Sequence, residues 1–343
     1  MRKARRGVAW VAASSLALTC AGAQTGGNPP ASLTPYIDVH AHLDVADVSG
    51  SMQAALQAMP RQKLSAVVFQ PLPFTAADKG LYDAQPILAE AKKYPRKIAV
   101  LGGGGSLNPM LQQAAGTRDI APAVLEKFKA RAEELLREGA MGFGEMTAEH
   151  FNGTTPYQSV APDHPLLLAL ADIAAAHRVT IDLHLEAVPQ DMALPALLKS
   201  PPNPSRLHES IAAFERLLAH DPKAAILWAH AGSDNTGFRT PELCRRLLAA
   251  HPNLYMEIKV DPLDPGLNPP LVNGATGAIR SDWLKLYQDF SDRFVVGTDQ
   301  HYPEPKAATQ RWQAVVLLLN QLPAGVREKI ARGNARRLYP KLK

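Results

Sequence analysis

Eight short runs of apolar and β-branched residues, separated by helical stretches, constrain the fold of this 343-residue chain more than any other feature. The runs cover residues 36–40, 66–70, 97–101, 141–145, 179–184, 224–230, 254–260 and 294–298. Between them, apolar residues recur at i, i+3 and i+4 over 121–138, 165–177, 205–220 and 241–251, which predicts amphipathic helices. Strands that alternate with helices form parallel βαβ units, so the predicted class is α/β.

The count of eight strands favours a closed (β/α)8 TIM barrel over an open sheet, although seven or nine strands fit the same pattern. No internal repeat and no linker interrupts residues 36–340, so residues 35–343 are predicted to form a single domain. Asp163 and Ser205 are predicted helix N-caps. Three loops, 102–109, 201–204 and 262–270, are predicted to lie at the barrel rim, the first of them as a flexible segment without the phosphate-loop pattern.

The N-terminus has the pattern of an export signal. A basic start precedes the apolar run 8–18, which is too short to span a bilayer, and Ala21-Gly22-Ala23 offers a small-x-small cleavage site. Residues 1–23 are therefore predicted to be a signal peptide, and residues 24–34 a flexible leader of a periplasmic or secreted protein. The pair Arg5-Arg6 leaves Sec and twin-arginine export both open. A lipid anchor on Cys20 is an alternative, but residues 17–19 match a lipoprotein box poorly.

Composition excludes some classes of partner. The formal charge of +5 includes four basic residues before position 7, so the rest of the chain carries +1 and no basic patch indicates a nucleic-acid partner. Cys20 and Cys244 are the two cysteines, and no intramolecular disulfide can form if Cys20 leaves with the signal. No stable membrane span is predicted, and a homo-oligomer is compatible with the sequence.

Polar residues follow the predicted strands at the ends that meet on one face of a barrel, where active sites lie. His40 and His42, two apart on a strand, point to the same side and can meet one metal ion. The other such residues are Glu145 in strand four, His184 in strand five, His230 in strand six and Asp299 after strand eight. Imidazole and carboxylate ligands suit a divalent metal, with Zn²⁺ preferred over Mn²⁺, Fe²⁺ or Ni²⁺.

This order of HxH, Glu, His, His and Asp resembles the amidohydrolase superfamily of metal-dependent TIM-barrel hydrolases. The closing stretch 330–339, IARGNARRLY, resembles the GNA-x-RL signature of the amidohydrolase-related (amidohydrolase 2) branch. The resemblance covers residues 36–340. It implies that His40, His42, His184 and Asp299 bind metal, and that Asp299 also takes the proton of the attacking water.

The number of metal ions stays open, although the branch signature at residues 330–339 favours one ion over the two that Glu145 would indicate. His230 resembles a histidine that binds a second metal in binuclear members and polarises the substrate or water in mononuclear ones. Many binuclear members have a carboxylated lysine on strand four, where this chain has Glu145, which resembles the bridging glutamate of a smaller subset. Many members of the branch use one metal and no strand-four ligand.

The predicted substrate is a small molecule, and its contacts are predicted from position. Glu186, Lys259 and Arg239 follow ligand-bearing or neighbouring strands, as do Glu257 and His301, whereas Glu149, His150 and His164 are predicted to be ordinary loop residues. The leading hypothesis is an exported hydrolase of amide, ester or lactone bonds. The alternatives are a metal-dependent decarboxylase of the same branch and a metal-binding barrel without activity.

Overall fold

The computed structural model describes residues 34–75, 77, 82–151, 157–198, 203–233, 235–260, 271–273, 276–304 and 310–342. The predicted signal peptide, the leader up to residue 33, and residues 201–202 and 262–270 of the predicted rim loops lie outside the described residues. Within these residues, no helix is both long enough and apolar enough to cross a membrane.

A strand lies at each of the eight predicted positions. The strands are β1 Tyr36–Leu43, β2 Leu64–Phe69, β3 in two pieces Ile98–Val100 and Gly102–Gly103, β4 Gly142–His150, β5 Thr180–Leu185, β6 Ala225–Ala231, β7 Leu254–Ile258 and β8 Phe294–Val296, which Gln300–Tyr302 continues. Strand β4 is longer than predicted, so Glu149 and His150 belong to a strand and the prediction of loop residues is wrong for both.

The strands pair in parallel in the order β3-β2-β1-β8-β7-β6-β5-β4. The strand order begins and ends with β3, because its piece Ile98–Val100 pairs with β2 and its piece Gly102–Gly103 pairs with β4. Leu101 alone separates the two pieces, and its backbone N–H donates to Phe69 O at 2.9 Å. The predicted α/β-barrel class is confirmed.

Helices follow the strands along the chain. They are α1 Val48–Gln62, α2 Ala84–Ala91, α3 Leu107–Ala114, α4 Pro122–Glu138, α5 Pro165–His177, α6 Ile211–His220, α7 Pro241–Ala250, α8 Ser281–Asp289, α9 Gln310–Gln321, α10 Ala324–Glu328, a π-helical turn Lys329–Gly333 and α11 Asn334–Leu338. Short strands also pair at the rim. Gln158–Ser159 pairs with β4, and Met192–Ala193 pairs with Arg206–Leu207.

Both predicted N-caps are wrong. Pro165 fixes the first helical residue of α5, so the residue before it, His164, is the cap, and its Nδ1 accepts from Leu166 N at 3.2 Å. Helix α6 starts at Ile211, because the residues before it form the rim strand Arg206–Leu207. Ser205 therefore lies outside the helix.

The loop 102–109, which was predicted to be flexible, begins with glycines that pack closely in the interior. A Cβ on Gly105 would lie 1.5 Å from Tyr82 O, and one on Gly104 would lie 2.6 Å from Pro71 O. Residues 102–105 are all buried. Glycine is required here because the backbones approach each other too closely for a side chain, and the prediction of a flexible loop is wrong.

The barrel interior has an apolar half, called here the inner cluster. It comprises Ile37, Val39, Ala66, Val68, Ala99, Leu101, Leu227, Val295, Ala335, Tyr339 and Leu342. The last three residues come from the C-terminal segment, in which the Asn334 side chain donates to Phe294 O at 2.7 Å and Tyr339 Oη bonds Thr180 Oγ1 at 3.0 Å. Phe294 and Thr180 begin their strands, so this segment closes the N-terminal end of the barrel and the C-terminal end is left for polar groups.

Candidate metal centre

Three of the strands gain one extra residue where they approach the C-terminal end of the barrel. These bulges lie between Asp38 and Ala41 in β1, Phe143 and Met146 in β4, and Trp228 and Ala231 in β6. Each bulge contains one candidate ligand, His40, Glu145 or His230. A bulge breaks the strict alternation of side chains and re-aims the residue inside it, which is why bulges recur beside active sites.

Two further backbone features shape this end of the barrel. His230 and Asp299 have positive φ angles of 65° and 54°, in the left-handed region that non-glycine residues seldom adopt. Asp38 ties β1 to the chain before Asp299, because its Oδ1 accepts from His40 N at 3.2 Å and from Thr298 N at 2.9 Å. The backbone is therefore held in an uncommon conformation at the residues predicted to carry the chemistry.

The two histidines of the HxH motif face each other, with their Nε2 atoms 3.2 Å apart. His42 Nδ1 lies 2.9 Å from Gln70 O, and a carbonyl only accepts, so Nδ1 carries the hydrogen and Nε2 has the lone pair. His40 Nδ1 faces two carboxylates, Glu257 Oε2 at 2.9 Å and Asp182 Oδ2 at 3.2 Å. With Nδ1 directed at these carboxyl groups, Nε2 of the neutral imidazole offers its lone pair on the side of His42, and the predicted same-side arrangement is what the structure shows.

Asp299 joins this pair. Its Oδ1 lies 3.3 Å from His42 Nε2 and 3.8 Å from His40 Nε2. The ligand atoms of His40, His42 and Asp299 all lie within 4.8 Å of one another, and the same holds for His40, Glu145 and His230. His184, the fourth predicted ligand, reaches the cluster through Glu145.

Glu145 lies between the two halves of the cluster. Its Oε2 is 3.6 Å from His40 Nε2 and 3.5 Å from His42 Nε2. Its Oε1 is 2.8 Å from His184 Nδ1 and 3.4 Å from His230 Nε2. One carboxylate oxygen thus faces the HxH pair and the other faces the histidines of strands β5 and β6.

The donor set fits a divalent cation. The Nε2 atoms of His40 and His42 lie 3.2 Å apart, and Glu145 Oε2 and Asp299 Oδ1 each lie within 4 Å of both nitrogens, so a positive charge is needed among these atoms. Burial alone would lower the pKa of His40, but Asp182, Glu257 and Glu145 raise it well above its ordinary value. The surroundings that favour a proton on His40 favour a metal cation equally, and a ring N–H given to a carboxylate or carbonyl is the usual support of a metal-bound histidine.

Positive groups surround the outer side of Asp299. Lys259 Nζ lies 2.8 Å from its Oδ2, and Arg311 Nη1 donates to its backbone carbonyl at 2.6 Å and lies 3.6 Å from Oδ2. His301 Nε2 lies 3.7 Å from Oδ1, with its ring 4.9 Å from that of His42. Burial would raise the pKa of Asp299, but Lys259 above all holds it well below its ordinary range. Asp299 is therefore an anion with Oδ1 turned to the histidines.

The other predicted substrate residues have different surroundings. Glu186 is buried and accepts from Asn235 N at 2.9 Å and Asn235 Nδ2 at 2.6 Å, and its Oε1 lies 3.5 Å from His184 Nε2. Arg239 is buried with its guanidinium 3.7 Å from the centre of the Trp228 ring, in the layer between strands and helices. Glu257 is fully buried beneath His40, so the hypothesis of a substrate contact there is wrong. Substrate binding by Glu186, Arg239 and Lys259 stays a prediction.

Sequence reasoning missed the residues that support the ligands. Asp38, Gln70 and Asp182 contact the HxH pair or hold its strand, and all three are buried. A signal was present, since Asp38 and Asp182 are charged residues inside otherwise apolar strand segments, where a charge is costly unless it is paired. Arg311 comes from helix α9, and nothing in its helical pattern distinguishes it from a surface arginine.

A comparison with protein families identifies the family of the chain. A family model described as Amidohydrolase matches residues 37–341, and the chain belongs to that family. No curated protein matches the sequence.

Three solved structures are similar to the chain. A TatD homologue, YJJV, from Escherichia coli K12 is 12% identical over 89% of this chain and 98% of its own, with a TM-score of 0.49. A 2,6-dihydroxybenzoate decarboxylase complexed with 2,6-dihydroxybenzoate is 16% identical over 90% and 99%, with a TM-score of 0.49. An amidohydrolase 2 from Bifidobacterium longum subsp. infantis is 14% identical over 90% and 99%, with a TM-score of 0.36. The description of the fold therefore rests on this chain's own strand order.

Proposed function

We propose that this protein is a hydrolase with two divalent metal ions that cleaves an amide, ester or lactone bond in a small molecule. The position of Glu145 carries the proposal, because each of its two carboxylate oxygens faces a different pair of histidines. His40, His42, Asp299 and one oxygen of Glu145 would hold the first ion. His184, His230 and the other oxygen of Glu145 would hold the second.

The chain's own groups divide the work of such a reaction. Divalent metal, with Zn²⁺ the first choice for these ligands, supplies Lewis acidity and lowers the pKa of water. Asp299 Oδ1 accepts the proton of the attacking water and passes it to the leaving group, as a positioned carboxylate does in general acid–base catalysis. Glu257 and Asp182 hold His40 from behind, and Gln70 O holds His42.

A decarboxylase is the second candidate, because the family includes both hydrolases and decarboxylases. The decarboxylases that the sequence resembles use the mononuclear set without a strand-four ligand. The bridging position of Glu145 therefore favours hydrolysis. A metal-binding barrel without activity is the third candidate, and it gives no role to the strained backbone of Asp299.

We also propose that the protein is exported to the periplasm or beyond, on the basic, apolar and small-residue pattern of residues 1–23. Cell fractionation and N-terminal sequencing test this, with a mature chain starting near Gln24 as the expected result. An uncleaved chain in the cytoplasm contradicts it.

Metal analysis tests the proposed function. The purified protein is expected to hold two ions per chain, and Glu145→Ala to hold about one. Glu126→Ala, a change at an exposed position of α4, serves as the matched control and should keep both. A screen of lactones, esters, N-acyl amino acids and aromatic acids then separates the candidates. One ion in both the parent and Glu145→Ala, or carbon dioxide release from aromatic acids, would overturn the proposal.

A further inference from the structure

Lys259 is a buried cation with donors to spare beside the metal centre. It follows β7, and its backbone N–H donates to Ala231 O at 3.0 Å, which fixes it next to the bulge that carries His230. Its side chain is 9% exposed, and Nζ donates to Asp299 Oδ2 at 2.8 Å. An ammonium group has three N–H donors, and within the described part of the chain this is the one acceptor that Nζ contacts.

The remaining donors of Lys259 are costly to leave unpaired. A buried charged donor without a partner loses its hydration without compensation, which is among the larger penalties in a folded protein. Nζ lies beside Oδ2 of Asp299, whereas Oδ1 faces His42. Lys259 directly follows the last residue of β7, so these donors lie at the C-terminal end of the barrel, next to the carboxylate that a substrate bond must approach.

We propose that Lys259 is a specificity-determining residue that binds a carboxylate on the substrate, so that the hydrolysed compound is an anionic amide, ester or lactone. The inference rests on the proposed function, because it names the substrate class of that same site. A carboxylate accepts the unused N–H donors of Lys259 in a charge-assisted hydrogen bond. With a neutral substrate, these N–H donors would form hydrogen bonds with water instead.

Binding of two matched probes to the metal-loaded protein tests this without turnover. 5-Oxohexanoate and heptane-2,6-dione have the same length, and neither contains a hydrolysable bond. Each has a methyl ketone, and 5-oxohexanoate has a carboxylate where heptane-2,6-dione has a second, neutral methyl ketone. Because the dione cannot form the charge-assisted hydrogen bond to Lys259, titration calorimetry should show 5-oxohexanoate bound roughly 10- to 100-fold more tightly by the parent.

The variants separate a charge effect from a structural one. Lys259→Gln keeps a donor for Asp299 but removes the charge, so it should abolish the preference for 5-oxohexanoate while heptane-2,6-dione binds as to the parent. Lys259→Arg should keep most of the preference. Lys285→Gln, at an exposed position of α8, is the matched control and should behave as the parent. A general disturbance of the site would weaken both probes equally, and metal content is measured in every variant.

Equal affinity of the parent for the two probes, or an unchanged preference in Lys259→Gln, would overturn the carboxylate site. The outcome is separable from that of the proposed function. A preference for 5-oxohexanoate that depends on Lys259 in a protein that hydrolyses nothing would leave the anion site standing and reject the hydrolase. Turnover of neutral lactones and esters without any preference for 5-oxohexanoate would do the reverse.

Discussion

The two halves of the barrel interior are built on the same eight strands but differ in the side chains they contain and in the regularity of the backbone. The inner cluster, on the side of the C-terminal segment, is apolar and fully buried. The other half contains bulges in three strands, two residues with positive φ, and side chains that are almost all charged or imidazole. Regular alternation thus serves packing, whereas the irregular half re-aims side chains that alternation would point elsewhere.

The division separates stability from chemistry. Packing in the inner cluster contributes free energy of folding through buried apolar area. Charged groups in the irregular half are costly to bury and are compensated by one another or by a cation. Changes in the irregular half should therefore act on turnover and metal affinity, and changes in the inner cluster on the free energy of unfolding.

The largest effect in the irregular half is expected for Asp299→Asn. The asparagine keeps the shape, offers an oxygen to the metal and tolerates the positive φ of this position, but it cannot accept the proton of the attacking water. General base catalysis contributes about 10²–10⁴-fold, so turnover should fall by roughly that factor while the fold and much of the metal remain.

Rate and metal content must be measured on the same preparation, because a changed ligand can also weaken metal binding. Asp172→Asn, on the exposed face of α5, provides the control. If fully metallated Asp299→Asn turned over as fast as the parent, the proton acceptor would be another group, and His230 would be the first candidate.

The regular half of the fold could be predicted from the sequence and the irregular half could not. All eight strands were found from apolar runs, because a strand that is buried on both faces consists mostly of apolar residues. The ends were wrong where a bulge or a longer strand intervened: β4 continues through Glu149 and His150, which the sequence predicted in a loop. An extra residue in a strand leaves no mark on hydrophobicity, since the register depends on the partner strand.

The ligand candidates were predicted from their positions at strand ends, and the structure brings His40, His42, Glu145, His230 and Asp299 together. The geometry of Glu145 was left open, because the direction of a side chain depends on the bulge around it. The support from Asp38, Gln70 and Asp182 was missed for another reason. These contacts join different strands, such as Asp38 of β1 to Thr298 after β8, and such long-range contacts have no local signal.

In the inner cluster, Leu227→Ala tests the stability side of the comparison. Leu227 is fully buried in β6, and its truncation should lower the free energy of unfolding by about 2–5 kcal/mol through lost transfer energy and a cavity. Denaturant unfolding measures the change. Leu317→Ala, at a position 63% exposed, is the matched control and should change stability by less than about 0.5 kcal/mol. Lost metal at native conditions in Leu227→Ala would show that the two halves are not separable.

The smallest effects are expected beneath the metal centre, where two buried acids share the support of His40. Burial, and then the charge of Asp182, raise the pKa of Glu257 well above its ordinary range, so Glu257 is the acid that keeps its proton. Glu257→Gln then replaces one neutral acceptor by another. This holds although Glu257 Oε2 lies nearer to His40 Nδ1, at 2.9 Å, than Asp182 Oδ2 does, at 3.2 Å. Asp182→Asn removes the negative charge itself.

Supporting carboxylates typically contribute 10- to 100-fold to metal affinity. Asp182→Asn should therefore weaken metal binding by roughly that factor in a chelator competition, and Glu257→Gln by less. The reverse ranking would place the charge on Glu257 and show that distance, more than protonation, decides which acid supports His40.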